Sequence, residues 1–345
     1  MFLEPHRLQS SPLDQTRPRR HSWRVTCGLA CHLDRTKLLF PEDRVGAMRA
    51  FVTGVQGFVG TWLSQHLEAC GDEVVAPPDG FDVTEPAGVR RAILEAQPDA
   101  VFHLAARSHV GESWKDPAGT FKVNATGTLH LLDAALACDQ TPTVLLISSA
   151  EVYGNVSEAQ LPLTEQSALA PVTPYAASKV AGEYLGLQAH LGTKLAVIRA
   201  RSFNHVGPGQ AAGFVVSALA QRIVAAQRSG EKRLAVGNLD ARRDYTDVRD
   251  VVRAYRLLVE RGHPGEVYNV CSGRDVPVRH LAEELLRLSG ADLELFVDPD
   301  LVRPVELPVL RGDNTVLREA TGWEPGIELV QTLTDVLAYW REQPA

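Results

Sequence analysis

The chain has 345 residues, 45% of them hydrophobic and 22% charged, with a formal net charge of −7. That composition supports one large or two ordinary domains with a sizeable core, and its acidic balance argues against duplex binding, which favours a basic face or a high pI. Residues 1–47 carry 8 Lys or Arg against 5 Asp or Glu, a balance of +3, which leaves −10 for the remainder, and no run of residues approaches a membrane span.

Residues 1–47 are rich in Arg, His, Ser and Pro and show no sustained period or signal-peptide core, so they are expected to be a disordered extension. The two methionines are Met1 and Met48, and Met48 immediately precedes the first strand pattern. The natural protein is therefore expected to start at Met48; an arginine-rich transit peptide is the rival reading. Cys27, Cys31 and His32 resemble half a metal site, but nothing supplies a second half at zinc spacing, so no metal is expected. Five scattered cysteines, an odd number, are expected to be reduced thiols of a cytoplasmic protein.

From Met48 onward short apolar runs alternate with helical patterns. Strands are expected at 49–54, 73–77, 100–104, 143–148 and 195–200, and helices at 58–70, 86–96, 118–138, 174–191 and 214–228. Such alternation predicts an α/β fold, a doubly wound parallel sheet of the Rossmann type. Beyond 201 the alternation breaks down into loops, so 201–345 is expected to form a smaller α/β substrate lobe, partly interleaved with the domain at 48–200.

Gly54, Gly57 and Gly60 follow the first strand and open the first helix, with Gln56, Phe58 and Val59 among them. A glycine turn at that point lets backbone amides approach a pyrophosphate at a helix N-terminus, so 48–200 is expected to bind NAD(P). Asp82 and Val83, the strand-end run Leu104-Ala105-Ala106, and Asn124 within a polar helical patch point to the same cofactor. At the end of the second strand Asp79 is placed to accept from a ribose hydroxyl and no Lys or Arg stands there for a 2′-phosphate, which favours NADH over NADPH.

Tyr175 and Lys179 form a Tyr-x3-Lys pair, on one face if the segment is helical. A phenol is a poor acid at neutral pH, and an ammonium one turn away favours the phenolate. Alone, the pair is indistinguishable from a surface i,i+4 pattern. Ser149, at the end of a strand and followed by Glu151, supplies a third polar group.

Gly54-x2-Gly57-x2-Gly60, Ser149 and Tyr175-x3-Lys179, in this order and on these elements, resemble the extended short-chain dehydrogenase/reductase superfamily over essentially all of 48–341. The resemblance implies a catalytic Ser149, Tyr175 and Lys179, and a nucleotide-sugar substrate. Phe203-Asn204-His205, followed by Gly207-Pro208-Gly209, is similar to the corresponding segment of GDP-6-deoxy-mannose reductases. By that resemblance Arg243 and Arg303 would meet the diphosphate, Glu306 the nucleoside ribose, Asn204 the substrate, and Val215 the base pocket; an arginine fork suits phosphate oxygens. The implied reaction is NAD(P)H-dependent reduction of the C4 keto group of GDP-4-dehydro-6-deoxy-mannose. Three alternatives stay open: a 4,6-dehydratase, for which Glu151 would be a general base; a C4 epimerase; and a non-catalytic NAD(P)-binding protein. The Ala- and Leu-rich helices near 118–138 and 174–191 resemble the superfamily's dimer interface, and a homodimer with no nucleic-acid or membrane partner is expected.

Overall fold

A computed structural model describes residues 47–301 and 307–344. Cys27, Cys31, His32, Arg303 and Glu306 lie outside the described residues. The strands are β1 (Arg49–Thr53), β2 (Glu73–Val75), β3 (Ala100–His103), β4 (Thr143–Ser149), β5 (Val197–Ser202), β6 (Asn204–Val206), β7 (Arg233–Val236), β8 (Arg242–Asp247), β9 (Val267–Val270), β10 (Asp275–Pro277), β11 (Glu294–Val297) and β12 (Val309–Leu310).

Six strands in the order β2-β1-β3-β4-β5-β9, all parallel, form the main sheet. Period-two alternation sends neighbouring side chains of β1 to opposite faces. Ala50 and Val52 join a core built with Leu63 and Leu67 of helix Phe58–Ala69 and Val251, Tyr255 and Leu258 of helix Val248–Arg261. Phe51 joins the other core, with Val89 and Ile93 of helix Pro86–Ala96, Leu131 and Leu132 of helix Gly127–Leu136, and Ala189 of helix Pro174–Thr193. Both faces are thereby covered, which is why these strands read as continuous apolar runs.

The helix expected over 118–138 runs Pro117–Leu136 but contains a π turn at Lys122–Thr126. The bulge turns Asn124 inward, where the side-chain oxygen accepts from the Arg107 amide at 2.8 Å and the side-chain nitrogen donates to Ser178 Oγ at 2.9 Å. Those buried bonds hold a turn that regular i→i−4 bonding would not produce.

In the C-terminal part, β8 pairs with β6, β10 and β12, while β7 pairs with β11. Helices Val215–Ser229, Val278–Ser289 and Leu329–Glu342 enclose a separate core containing Leu219, Ile223, Leu281, Leu285 and Leu333. The chain crosses between these regions several times. β5 ends at Ser202 and β6 begins at Asn204; helix Val248–Arg261 and β9 then return to the main sheet.

Candidate active site

The chain runs from β1 outward to β2 and then back to β3 on the other side of β1. A crevice outside the carboxyl ends of β1 and β3 is the topological switch point at which such sheets bind ligands. The glycine turn fills that position. Gly54 has φ +70°, and a Cβ there would lie 3.0 Å from the Ala105 nitrogen. A Cβ on Gly60 would lie 2.2 Å from the Gly54 carbonyl oxygen. Gly57 caps helix Phe58–Ala69 without a side-chain cap, and Gly54, Gln56 and Gly57 are exposed. An open cradle of amides at a positive helix end fits a dinucleotide pyrophosphate. Val59 is half-buried beside it, Asp82 is exposed, Val83 is buried, and Leu104, Ala105 and Ala106 are half-buried along the end of β3.

The ends of β1 and β3 are joined by a hydrogen-bond chain whose proton positions can be deduced. Thr128 Oγ donates to the Asn124 carbonyl at 2.7 Å, so it accepts from His103 Nε2 at 3.0 Å. His103 Nδ1 then accepts from Thr53 Oγ at 2.9 Å, and that oxygen accepts in turn from the Ala105 amide at 3.1 Å. This requires a neutral imidazole protonated on Nε2. Burial, aided by the nearby Lys179 charge, lowers the His103 pKa to about 3. Thr53, His103, Thr128 and Ser178 thus support the expected site residues from behind, and their sequence neighbours Gly54, Leu104, Asn124 and Lys179 are the signal that could have found them.

Ser149 is the last residue of β4, and its hydroxyl accepts from the Glu151 amide at 3.2 Å. Tyr175 and Lys179 stand on helix Pro174–Thr193, where Thr173 supplies the cap by accepting from the Ala176 amide. The parallel pairing of β4 and β5 matches Ser149 with Ser202, and helix Pro174–Thr193 packs across the neighbouring strands. Burial pushes the Tyr175 phenol up to about 12, opposed by its hydrogen bond with Ser149 and reinforced by the Glu151 charge. Burial outweighs the Ser149 hydrogen bond that favours the phenolate. Lys179 Nζ lies 5.9 Å from the Tyr175 ring centre and donates to the Ile147 carbonyl at 2.8 Å. Burial pulls this amine down to about 8, while Glu183 acts in the opposite direction.

The structure brings Ser149, Glu151, Tyr175 and Lys179 together, with Asn124 behind them. Asn204 is exposed on β6, Val215 is 37% exposed at the start of its helix, and Arg243 is half-buried on β8. Asp244 is fully buried and accepts from the Ser272 and Gly273 amides, so it anchors a loop rather than pairing at the surface with Arg243. The Gly207-Pro208-Gly209 turn docks on the cofactor side: Trp62 Nε1 donates to the Pro208 carbonyl at 3.0 Å, and Phe58 stacks with His205 at 6.1 Å between centroids. Among the described residues no cluster of His, Cys, Asp or Glu suits a metal.

Strand order, glycine cradle and covered parallel sheet define a Rossmann-type fold of the extended short-chain dehydrogenase/reductase class. The family model described as GDP-mannose 4,6 dehydratase matches residues 80–336, and the chain belongs to that family. It is 41% identical to the GDP-6-deoxy-D-mannose reductase of Pseudomonas aeruginosa, over 86% of this chain and 98% of that protein. A GDP-mannose 4,6-dehydratase of Vibrio cholerae is 29% identical over 85% of this chain and 94% of its own length. Among solved structures, that of RMD from Pseudomonas aeruginosa complexed with NADPH superposes with a TM-score of 0.80 at 41% identity, covering 86% of this chain and 99% of that one. A UDP-glucose 4-epimerase from Thermus thermophilus in complex with NAD gives 0.76 at 28% identity, covering 85% and 99%.

Proposed function

We propose that this chain is an NAD(P)-dependent enzyme that reduces the C4 keto group of GDP-4-dehydro-6-deoxy-mannose to the alcohol. The observation that carries this reading is a buried Tyr175 beside Ser149, in a chain that matches a GDP-6-deoxy-D-mannose reductase over 98% of that protein. A bound reduced nicotinamide would supply a hydride to the carbonyl carbon. Tyr175 donates its proton to the oxygen as negative charge develops there, and Ser149 hydrogen-bonds the same oxygen. A phenol held near 12 is a proton donor throughout the neutral range. Lys179 would hold the nicotinamide ribose; Gly54, Gln56, Gly57, Phe58, Val59, Gly60, Asp82, Val83, Leu104, Ala105, Ala106 and Asn124 would form the remaining cofactor surface. Asn204, Val215 and Arg243 would face the sugar nucleotide, with Arg303 and Glu306 completing that set.

Glu151 favours a second reading, a 4,6-dehydratase that needs a carboxylate base, because it stands two residues after Ser149 and its charge acts on Tyr175. Two incubations separate the readings. With GDP-4-dehydro-6-deoxy-mannose and NADH or NADPH, the reductase oxidises cofactor; with GDP-mannose alone, it forms no 4-keto product. Appearance of that product would move the assignment to the dehydratase. Tyr175→Phe is expected to abolish turnover with cofactor binding preserved, and Glu151→Gln to leave reduction intact.

Cofactor choice is read from the end of β2, where Asp79 is exposed and residues 76–82 include no cation; this supports NADH, testable by comparing kcat/KM for the two cofactors. The three described cysteines, Cys70, Cys138 and Cys271, are free thiols, which supports a cytoplasmic enzyme. No helix among the described residues is long and apolar enough to cross a membrane. Trp114, Phe121, Leu129, Tyr184 and Leu191 leave large apolar side chains exposed on or beside the two long helices, which supports a homodimer.

A further inference from the structure

Beneath the Ser-Tyr-Lys group lies a buried charge that the reaction does not use directly. Glu183 follows Lys179 by one turn on helix Pro174–Thr193, with its side chain 1% exposed. Its carboxylate accepts from Arg201 Nε at 3.0 and 3.2 Å and from Nη2 at 2.9 Å, and it also accepts from the Ser148 hydroxyl. Arg201, 5% exposed on β5, is itself fixed by the Tyr153 hydroxyl at 3.1 Å and the Glu165 carbonyl at 2.9 Å. Removing two charges from water costs several kcal/mol per ion, so a buried pair is weak evidence of a stabilising role. Its position suggests another. Glu183 and Lys179 line one small internal cavity with His103, Asn124, Thr128 and Ser148.

We propose that Glu183 is a positioning residue of the active site, whose clamped carboxylate keeps the buried Lys179 ammonium charged and in place. The inference rests on the reading that Lys179 serves the cofactor. Groups around Lys179 on the neighbouring elements are His103 on β3, held neutral; Asn124 and Thr128 on the π turn and the helix after it; the Ile147 carbonyl and Ser148 on β4; and Tyr175 and Glu183 on its own helix. Just beyond them lie Glu151 after β4, whose charge acts on Tyr175, and Arg201 on β5, whose charge is directed at Glu183. Glu183 is the one acidic residue among those lining the cavity with Lys179, one helical turn away on the same helix. Burial already draws Lys179 down to about 8, and Glu183 opposes that pull. A cation required in its charged form loses its function as pH rises through its pKa, so removing Glu183 should shift that loss to lower pH.

The test is binding of NADH and NADPH to the full-length protein, followed by fluorescence from about pH 6 to about pH 10. In the unaltered protein, affinity should fall with a midpoint near the Lys179 pKa. Glu183→Gln should lower that midpoint by about one pH unit or more, and Glu183→Asp, which retains the charge, should restore most of the difference. If Glu183→Gln does not fold because Arg201 is left unpaired, Glu183→Gln/Arg201→Met, which removes both charges, is read in the same way. Lys179→Ala separates the two levels of the argument. If it removes the alkaline midpoint while Glu183→Gln leaves that midpoint in place, with affinity lowered equally at every pH, Glu183 is a structural anchor and the proposal falls. If Lys179→Ala retains the midpoint, the reading of Lys179 falls, and the proposal with it.

Discussion

His103 shows how one buried residue sets a measurable pH dependence. Its ring ties Thr53 beside the glycine turn to Thr128 beside the π turn, and both nitrogens are committed to a neutral tautomer. The folded pKa of about 3 lies below the ordinary 6.5, so between these values the unfolded chain binds a proton that the folded chain refuses. Stability from this group is complete above about pH 6.5 and is lost on acidification toward about pH 3, with a slope of at most about 1.4 kcal/mol per pH unit. Urea denaturation of the unaltered protein and of His103→Gln at several pH values measures the term directly. The variant should be less stable at pH 7 yet lose less stability on acidification, since the other titrating groups are common to both. Parallel stability curves would mean that His103 is not held neutral by the fold.

At the scale of elements, the glycine turn connects sequence to ligand geometry. Gly60→Ala places a Cβ against the Gly54 carbonyl, which is backbone and cannot swing away, so the turn must open. A loss of about 1–3 kcal/mol in stability is expected, together with at least a tenfold fall in cofactor affinity, by thermal melt and fluorescence titration. Gly88, in helix Pro86–Ala96, has open space around its Cβ position, and Gly88→Ala is expected to be neutral or to stabilise by about 0.5–1 kcal/mol. The same contrast explains what was legible in the sequence. β1 through β5 and their helices were readable because short apolar runs alternate there with period-3.6 helical patterns, although β5 lies at Val197–Ser202 rather than 195–200. β6, β10 and β12 have two or three residues each, too few to establish a period, and β9 is defined by its pairing with β5 rather than by its own composition. Within the site, Ser149, Tyr175 and Lys179 could be found because their spacings are fixed by single elements. Glu183 and Arg201 could not, since their partnership joins a helix to a strand and neither residue type is expected at the bottom of a core.

For the whole molecule, the outer surface of the catalytic helix matters as much as its inner one. Tyr175 and Lys179 face inward, while Tyr184 and Leu191, seven residues apart and therefore on one side, are 57% and 62% exposed. Phe121 and Leu129 on the neighbouring helix are 38% and 37% exposed, and Trp114 just before it is 53% exposed. Single exposed apolar residues are ordinary, but several on two adjoining helices form the kind of patch that associating proteins cover. A second copy applying the same two helices would bury that patch by two-fold symmetry, in a four-helix contact. Light scattering should therefore return about twice the 37.6 kDa chain mass. Tyr184→Glu/Leu191→Glu, which places charges in the centre of that contact, should return the mass of one chain. Because helix Pro174–Thr193 carries Tyr175 and Lys179 on its other side, the monomeric variant should also melt at a lower temperature and lose turnover, even though neither substituted residue lies among those proposed to touch cofactor or substrate. A double variant that remains dimeric would exclude this face as the interface, whereas a monomer with unchanged melting and turnover would show that the catalytic helix needs no bracing from a second copy.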